Sequence, residues 1–263
     1  MAKGMTSNAS RRRAKKLSRD WQPFCEGVDV FRFGSNEAVR EIITGRRNHE
    51  VGGHFSFKMG HHAIHESGIE DRGARTFDCL FSIHSYFGQP ETIRLNLNPG
   101  FPGEIYTPDF LVEDDWGYVR YEIKELKELH PPEPLPGDER AILKCIEAAT
   151  LRARLRRIRA AYAKAGVRFE ILTDVHLLKV ADPEVVDEII ANAGTPITPD
   201  DLGRLECALL SAHGLLSLGA CEDLLREAKF PRGTILSRIV DRNLQIDLMK
   251  PISRDTKTRI GDF

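Results

Sequence analysis

The sequence lacks the features that mark secreted, disulfide-stabilised, zinc-binding and membrane-spanning proteins. Its five cysteines are odd in number, scattered and never arranged as Cys-x-x-Cys, which disfavours a disulfide framework and a structural zinc site. No apolar run approaches the length that spans a bilayer, and the N-terminal residues are basic where a signal peptide is apolar. We therefore expect a reduced, cytoplasmic protein with no membrane contact.

Two further enzyme classes lack their signatures. The sequence contains no Walker A motif, so we expect any nucleotide hydrolysis to reside in a partner. No nucleophile elbow supports Ser-His-Asp or Cys-His chemistry.

Histidines do cluster between His49 and His65, and His61 has the i, i+4 spacing to His65, but the cysteine neighbours that zinc favours are missing. Phosphate contact or ordinary hydrogen bonding is the better interpretation of this cluster.

The charge balance excludes an indiscriminately basic nucleic-acid binder, because the formal net charge is −1. Basic residues are nevertheless concentrated in residues 1–20 and in a second cluster. A nuclease with an acidic metal pocket and basic phosphate contacts is neutral overall in the same way. The N-terminal arm could alternatively be a solubilising tail. The second cluster could alternatively be the solvated face of a helix. The second cluster consists of Arg152, Arg154, Arg156, Arg157 and Arg159.

The order of the predicted elements indicates an α/β fold with a mixed sheet. The candidate strands lie within 46–60 and at 90–97, 105–113, 118–125 and 167–174. The candidate helices are 35–44, 66–80 and 138–165, followed by short helices at 183–193, 200–213, 220–229 and 232–242 and strand-like segments at 244–249 and 256–260. We predict a basic flexible arm at 1–20, a catalytic α/β domain at 21–180 and a smaller, mainly helical, winged-helix-like domain at 181–263.

Three short segments carry the residue types that metal-dependent phosphodiester hydrolysis needs. They contain Glu70, Asp109 after a proline, and Glu122 two residues before Lys124. Hard divalent cations bind carboxylate oxygens, and a bound cation lowers the pKa of the attacking water. A lysine orients that water or neutralises developing charge. This constellation is typical of metal-dependent DNA nucleases of the restriction-endonuclease type.

The spacing of these residues predicts a β-hairpin. Two apolar runs flank a polar turn at 113–117. Strand alternation places Glu122 and Lys124 on one face and Ile123 on the other. Because Asp109 begins the first strand, we expect the three polar groups to converge at one end of the hairpin. A half-exposed hairpin with an ordinary charged face is the alternative.

Taken in order, these segments resemble the TnsA endonuclease subunit of heteromeric cut-and-paste transposases. The resemblance covers about residues 46 to 178, and the match of the C-terminal region is mainly architectural. The residues that carry it are His61-His62, Ser67 to Glu70, Gly88 to Pro90, Tyr106 to Val112, Glu122 to Lys124 and Phe169 to Asp174.

The resemblance implies a restriction-endonuclease-like fold with a magnesium site, at which Mn²⁺ is expected to substitute. Its metal ligands are Glu70, Asp109 and Glu122, and Lys124 completes the catalytic set. The motif selects Glu70 over Glu66, although the two are one helical turn apart and would share a face. The resemblance also makes two other residues possible supporting residues. These are Gln89 and His62.

The resemblance further implies a role in DNA transposition in a bacterial, nucleoid-associated complex. The implied reaction is hydrolysis of the 5′ strands at transposon ends. The implied partners are double-stranded DNA, a DDE-type transposase subunit that processes the 3′ ends, and an ATPase regulator. Two alternatives remain: a self-sufficient restriction-type nuclease, and a non-catalytic DNA-binding or regulatory module. In the C-terminal region, acidic and apolar residues favour protein contact over base reading.

Overall fold

A computed structural model describes residues 20–34, 38–39, 52–96 and 103–261 of the chain. Residues 38 and 39 are the described part of the predicted helix at 35–44, and they are not helical. The rest of that segment, His49 and all but the last residue of the predicted arm lie outside the described residues. Within the described ranges the chain is a mixed α/β structure with 8 helices and several sheets. No helix in these ranges is long and apolar enough to cross a membrane.

The described residues form 13 strands and 8 helices. The strands are β1 (Gln22–Cys25), β2 (Val28–Arg32), β3 (Gly52–Ser56), β4 (His61–His65), β5 (Ile83–Gly88), β6 (Glu91–Leu95), β7 (Glu104–Tyr106), β8 (Phe110–Asp114), β9 (Gly117–Lys124), β10 (Arg168–Thr173), β11 (Leu215–Ser217), β12 (Leu244–Gln245) and β13 (Lys257–Ile260). The helices are α1 (Gly68–Cys79), α2 (Leu126–Leu129), α3 (Glu139–Lys164), α4 (Asp174–Val180), α5 (Pro183–Asn192), α6 (Pro199–Ser211), α7 (Leu218–Leu224) and α8 (Pro231–Val240).

The predicted hairpin is confirmed as β8 and β9. It forms the middle of a mixed sheet with the order β10-β9-β8-β5, in which β9 is antiparallel to β8 and parallel to β10. The turn is tighter than the predicted 113–117, because pairing continues to Asp114 opposite Gly117. Gly117 has a φ of 96°, which glycine adopts at little cost. The end of β9 therefore lies beside the start of β8.

The prediction of a single strand at 105–113 is wrong. The segment divides into β7, which belongs to the sheet β1-β2-β6-β7, and β8, which belongs to the sheet just described. Pro108 stands between them and has no N–H to donate to a ladder, so a strand interior does not accommodate it. The chain changes sheets at 107–109, and Asp109 directly precedes β8 instead of lying within a strand.

Helix α1 confirms the predicted helix at 66–80, with Ser67 as its N-cap. Its inner face packs on the central sheet, where Phe77 contacts the rings of Tyr86 and Phe110. At Gly73 the helix approaches β9 so closely that a Cβ atom would lie 2.4 Å from Cδ1 of Ile123. Gly73, a residue that is unfavourable in an ordinary helix interior, thus allows the close packing of α1 on β9.

This close approach predicts opposite effects for two helical glycines. Gly73→Ala gains helix propensity but forces the fully buried Ile123 to move, so we expect a net loss of about 1 kcal/mol or more. Gly203→Ala in α6 is the matched control, since nothing lies within 4 Å of its added Cβ atom. That variant should gain up to about 1 kcal/mol. Urea unfolding measures both changes, and a gain at both positions would contradict the packing described here.

Helix α3 confirms the predicted apolar stripe. Leu155, Ile158 and Tyr162 are buried, and the Tyr162 ring stacks on that of Phe169 in β10 with centroids 5.2 Å apart. Gly166 follows the helix with a φ of 70° and lets the chain turn into β10. Helix α3 therefore fixes β10 at the edge of the central sheet, beside the end of β9.

The C-terminal region contains four helices, α5 to α8, and the sheet β11-β13-β12. The three-residue strand β11 was not predicted, and the helix predicted at 220–229 is shorter, as it ends at Leu224. The predicted domain boundary at 180 falls at the end of α4. Cys79 of α1 nevertheless belongs to the same apolar cluster as Ile189 and Ile235, so α1 packs against this region as well as against the central sheet.

Candidate active site

The end of β9 brings two of the predicted residues into direct contact. The Nζ atom of Lys124 lies 2.8 Å from Oε1 of Glu122 and 3.5 Å from Oδ2 of Asp109. This geometry agrees with the alternation that placed Glu122 and Lys124 on one face. Glu70, in the first turn of α1, is near enough for its charge to affect the pKa of both Asp109 and Lys124. Asp109, Glu122 and Lys124 are therefore grouped at this edge by direct contacts, and Glu70 lies near them.

Backbone contacts hold Asp109 in this position. Its Oδ2 atom accepts a hydrogen bond from the backbone N–H of Ile123 at 2.7 Å. Its carbonyl oxygen accepts one from the backbone N–H of Gln89 at 2.8 Å. The carboxylate is thus anchored to β9, and the backbone is anchored to the residue that follows β5, so the side chain has little freedom to leave the site.

The pKa of Asp109 is displaced by its surroundings. Burial, followed by the charge of Glu122, raises this pKa well above its usual range, and Glu70 raises it further against the opposing effect of Lys124. For Lys124, burial alone would lower the pKa, but the carboxylates of Asp109 and Glu122 outweigh burial and raise it. The ammonium group of Lys124 therefore interacts with several carboxylates at once. Clusters of displaced pKa values of this kind are common at functional sites.

Tyr106 is a site residue to which sequence reasoning assigned no role. Its hydroxyl donates a hydrogen bond of 2.5 Å to Oε2 of Glu122. Burial and the neighbouring Glu122 keep the pKa of Tyr106 well above its usual range, so the phenol remains a donor at neutral pH. Tyr106 thus orients the second oxygen of Glu122 while Lys124 holds the first. Its position three residues before Asp109 was the only sequence feature that could have indicated this role. The contact with Glu122 joins two different sheets, so the sequence does not reveal it.

Glu70 has a structural role in addition to its predicted one. Ser67 Oγ accepts a hydrogen bond from the backbone N–H of Glu70 at 3.3 Å and donates one to Oε1 of Glu70 at 2.8 Å. The backbone N–H of Glu66 donates to Oε2 at 2.7 Å. The Ser-x-x-Glu spacing is that of a capping box, but the second bond comes from the backbone N–H of Glu66 instead of that of the N-cap residue Ser67. The expected shared helical face of Glu66 and Glu70 is wrong, because α1 begins at Gly68.

The two possible supporting residues differ in their surroundings. Gln89 is 3% exposed and has a φ of 48°, and its Oε1 atom has no hydrogen-bond partner in the part of the chain that the structure describes. Its backbone contact to Asp109 places it at the site. His62 lies on the exposed side of β4, where its ring packs against that of Phe55 at 5.1 Å. No contact joins His62 to the acids among the described residues.

The remaining histidines have separate partners. His54 Nε2 lies 2.6 Å from Asp78, His65 Nε2 lies 3.3 Å from Asp71, and the His61 ring stacks on Phe87. Across the described ranges, no three His, Cys, Asp or Glu side chains form a ready-made metal-binding group. This holds for the histidine cluster and equally for Glu70, Asp109 and Glu122 as they stand.

No model of a known protein family matches the sequence, and no curated protein matches it. The site's own chemistry therefore carries the functional argument. Its donor set fits a hard divalent cation, because Glu70, Asp109 and Glu122 supply carboxylate oxygens. Burial, and after it the charge of Glu122, raises the pKa of Asp109, and a bound cation would offset both effects. Lys124 at present lies between two of these acids, so cation binding requires its ammonium group to shift.

Proposed function

We propose that the chain is a magnesium-dependent DNA endonuclease, the TnsA-like subunit of a heteromeric transposase that hydrolyses the 5′ strands at transposon ends. The convergence of Glu70, Asp109, Glu122 and Lys124 at one edge of the central sheet is the observation that carries this proposal. The order of the matching sequence segments supports the family. The direct contact between Lys124 and two acids supports the hydrolytic chemistry.

Each side chain has a distinct role in this proposal. Glu70, Asp109 and Glu122 would hold Mg²⁺ or Mn²⁺, which when bound supplies Lewis acidity and a water of lowered pKa. Tyr106 fixes the orientation of Glu122 through its hydrogen bond. Lys124 donates to the attacking water or to the phosphoryl oxygen and offsets the charge that develops there. The largely buried setting strengthens these electrostatic interactions relative to bulk water.

The fold agrees with this assignment in two places. The central sheet with its hairpin β8-β9, the acid-bearing helix α1 and the parallel strand β10 supports a restriction-endonuclease-like core. The order α6-β11-α7-α8-β12-β13, with the sheet order β11-β13-β12, supports a winged-helix assignment for the C-terminal region. In a winged helix the last helix, here α8, is the one that enters a DNA groove.

Helix α8 is poorly placed for that task. Its polar residues Thr234 and Ser237 are buried, and Arg232 and Arg238 are paired with Glu188 at 2.6 Å and Asp241 at 2.8 Å. Base reading needs free polar side chains that project into the groove. We therefore assign the C-terminal region to contact with the DDE-type transposase or the ATPase regulator instead of sequence-specific DNA recognition.

A cleavage assay on a duplex that carries the transposon end tests this function and separates it from the restriction-type alternative. With Mg²⁺, the 5′ strand should be cut when the cognate DDE-type transposase subunit of the proposal is present and remain intact when it is absent. Cutting of the duplex by this protein alone would identify a self-sufficient nuclease. Absence of 5′ cleavage in the presence of the transposase would contradict the proposal.

One observation favours a non-catalytic module instead, namely the capping of α1 by Glu70. Two variants separate capping from catalysis. Ser67→Ala removes the N-cap and should cost about 1 kcal/mol of stability while cleavage by the folded protein continues. Glu70→Gln keeps an oxygen for capping but removes the charge that a cation needs, so it should lose cleavage with little change in melting temperature. If Glu70→Gln instead retains cleavage, Glu70 is a capping residue only.

A further inference from the structure

The five clustered arginines in the C-terminal half of α3 occupy two faces of the helix. Arg154 and Arg157 contact Glu104 at 2.8 Å and 3.1 Å and tie α3 to β7. The other three arginines recur at i, i+4 and i+7, a spacing that places them along one stripe. They are Arg152, Arg156 and Arg159. The first face is structural, and the stripe is available for another purpose.

The stripe borders a cleft of about 300 Å³ between α2, α3, β10 and the start of α4. Two histidines, His130 and His176, complete its polar rim, and no acidic residue lines it among the described residues. The floor of the cleft is apolar. It is formed by Leu126, Leu129, Leu155 and Ile171.

The cleft begins where the candidate active site ends. Thr173, which lines it, pairs in register with Lys124 across the parallel strands β9 and β10. Neighbouring strands are about 4.8 Å apart. Leu126, at the near end of the floor, follows Lys124 by two residues, and its backbone N–H is fixed by Asp174 Oδ1 at 2.7 Å. A ligand in the cleft would therefore adjoin whatever Lys124 binds.

The cationic groups at the rim remain able to bind an anion. Arg156 is exposed and has no hydrogen bond or ion pair with the described residues. Arg152 donates to the carbonyl oxygen of Leu129, which leaves further guanidinium N–H groups. Arg159 lies 3.6 Å from Glu170, in a pair that is largely exposed and therefore weak. The planar guanidinium fork suits the oxygens of a phosphate.

We propose that this cleft binds one unpaired nucleotide of the DNA strand next to the cleaved phosphodiester. Arg156 and Arg159 hold its phosphate, and the base covers the apolar floor. A phosphate alone would not need that floor, and a base within a duplex does not reach it without leaving its stack. The inference rests on the proposed function for the identity of the strand. The ligand chemistry, a phosphate joined to an aromatic base, rests on the cleft itself.

The test measures binding without cleavage, so it is independent of the catalytic acids. Full-length protein in EDTA is titrated against fluorescein-labelled hexathymidylate, and anisotropy reports the Kd. Arg156→Ala and the double variant Arg156→Ala, Arg159→Ala should weaken binding by about 10-fold or more. Arg140→Ala, an exposed arginine in the first turn of the same helix, is the matched control and should leave the Kd unchanged.

A second ligand tests the contribution of the base. The abasic counterpart of the hexamer, which keeps its phosphates and sugars, should bind the parent protein about 10-fold more weakly, because the contact of the base with the apolar floor is lost. Equal affinity for the two ligands would overturn the nucleotide assignment, as would equal effects of Arg156→Ala and Arg140→Ala. Displacement of the hexamer by an equal concentration of thymidine monophosphate would identify a mononucleotide site and overturn the assignment to a strand. None of these outcomes depends on whether the acids cleave DNA.

Discussion

The Asp109→Asn variant is expected to lose cleavage of the 5′ strand by about 10³-fold while remaining folded. Asn keeps the oxygen that accepts the backbone N–H of Ile123, so the anchor between the start of β8 and the end of β9 survives. It removes the negative charge that a divalent cation requires at the centre of the site. Strand cleavage with the transposase and Mg²⁺ measures the loss, and cleavage at the parent rate would contradict the assignment of Asp109.

The stability of the same variant, compared with that of the parent protein, should also increase as the pH rises. Because the pKa of Asp109 is raised by burial and by Glu122, the folded protein binds this proton more tightly than the unfolded chain does. The resulting stability is present below the unfolded pKa of about 4 and is lost as the pH rises through the folded pKa. Asn cannot ionise. The melting temperature of the variant, relative to the parent, should therefore increase from pH 5 to pH 8.

Asp115→Asn is the matched control for both measurements. Asp115 lies at the turn of the same hairpin, at the end opposite the site, and it contacts His84 at 2.7 Å. Asp115→Asn should neither reduce cleavage nor change the pH dependence of the melting temperature as Asp109→Asn does. A gain in stability with a loss of activity is the pattern of a group retained for function. A loss of both at Asp109 would indicate a structural carboxylate.

The Lys124→Ala variant should lower the cleavage rate by about 10²-fold. It removes the group that we propose orients water or offsets the developing charge, but it leaves all three carboxylates in place. Metal affinity should therefore be retained or increased. Single-turnover cleavage gives the rate, and a titration with Mn²⁺ gives the affinity. A parallel loss of metal affinity and rate would show that Lys124 organises the acids instead of acting in the reaction.

Stability provides the second readout for Lys124. Its pKa is raised by Asp109 and Glu122 against the effect of burial, so its favourable contribution is fully present at neutral pH and would be lost only as the pH rises through the raised pKa. Lys124→Ala should therefore melt at a lower temperature than the parent at pH 7. Lys127→Ala, an exposed lysine paired with Glu125, is the control. A stability loss with unchanged cleavage per folded molecule would make Lys124 purely structural.

The parts of the fold that depend on local periodicity could be predicted. Alternation along β9 predicted that Glu122 and Lys124 share a face, and their 2.8 Å contact agrees. The apolar stripe of α3 was predicted because its C-terminal half packs on a sheet along its length. In both cases the buried face imposes a single period on the sequence.

The parts that depend on distant pairing could not be predicted in this way. The sequence predicts one strand that includes Pro108. The chain in fact changes sheets there, and only the pairing of β7 with β6 and of β8 with β5 shows this. The contact of Tyr106 with Glu122 crosses that same boundary. Strand β11 is three residues long, and it is a strand because it pairs with β13. Such pairings are tertiary, so local propensity does not reveal them.

Two features were present in the sequence but were interpreted incompletely. The Ser67-x-x-Glu70 spacing is a capping-box signature, yet it was used only to choose between acids. The helical spacing of the α3 arginines separates Arg154 and Arg157 from the stripe that ends at Arg159. Which of these arginines are free depended on Glu104 in β7, whose position only the fold supplies.

The binding of Mn²⁺ to the full-length protein tests most directly whether the four convergent residues form a metal site. Electron paramagnetic resonance follows the loss of the free-ion signal as protein is added. The account predicts saturable binding by the parent and by Asp115→Asn, and little or none by Asp109→Asn, which lacks the central carboxylate. Equal binding by the parent and Asp109→Asn, or no saturable binding by the parent, would contradict the account.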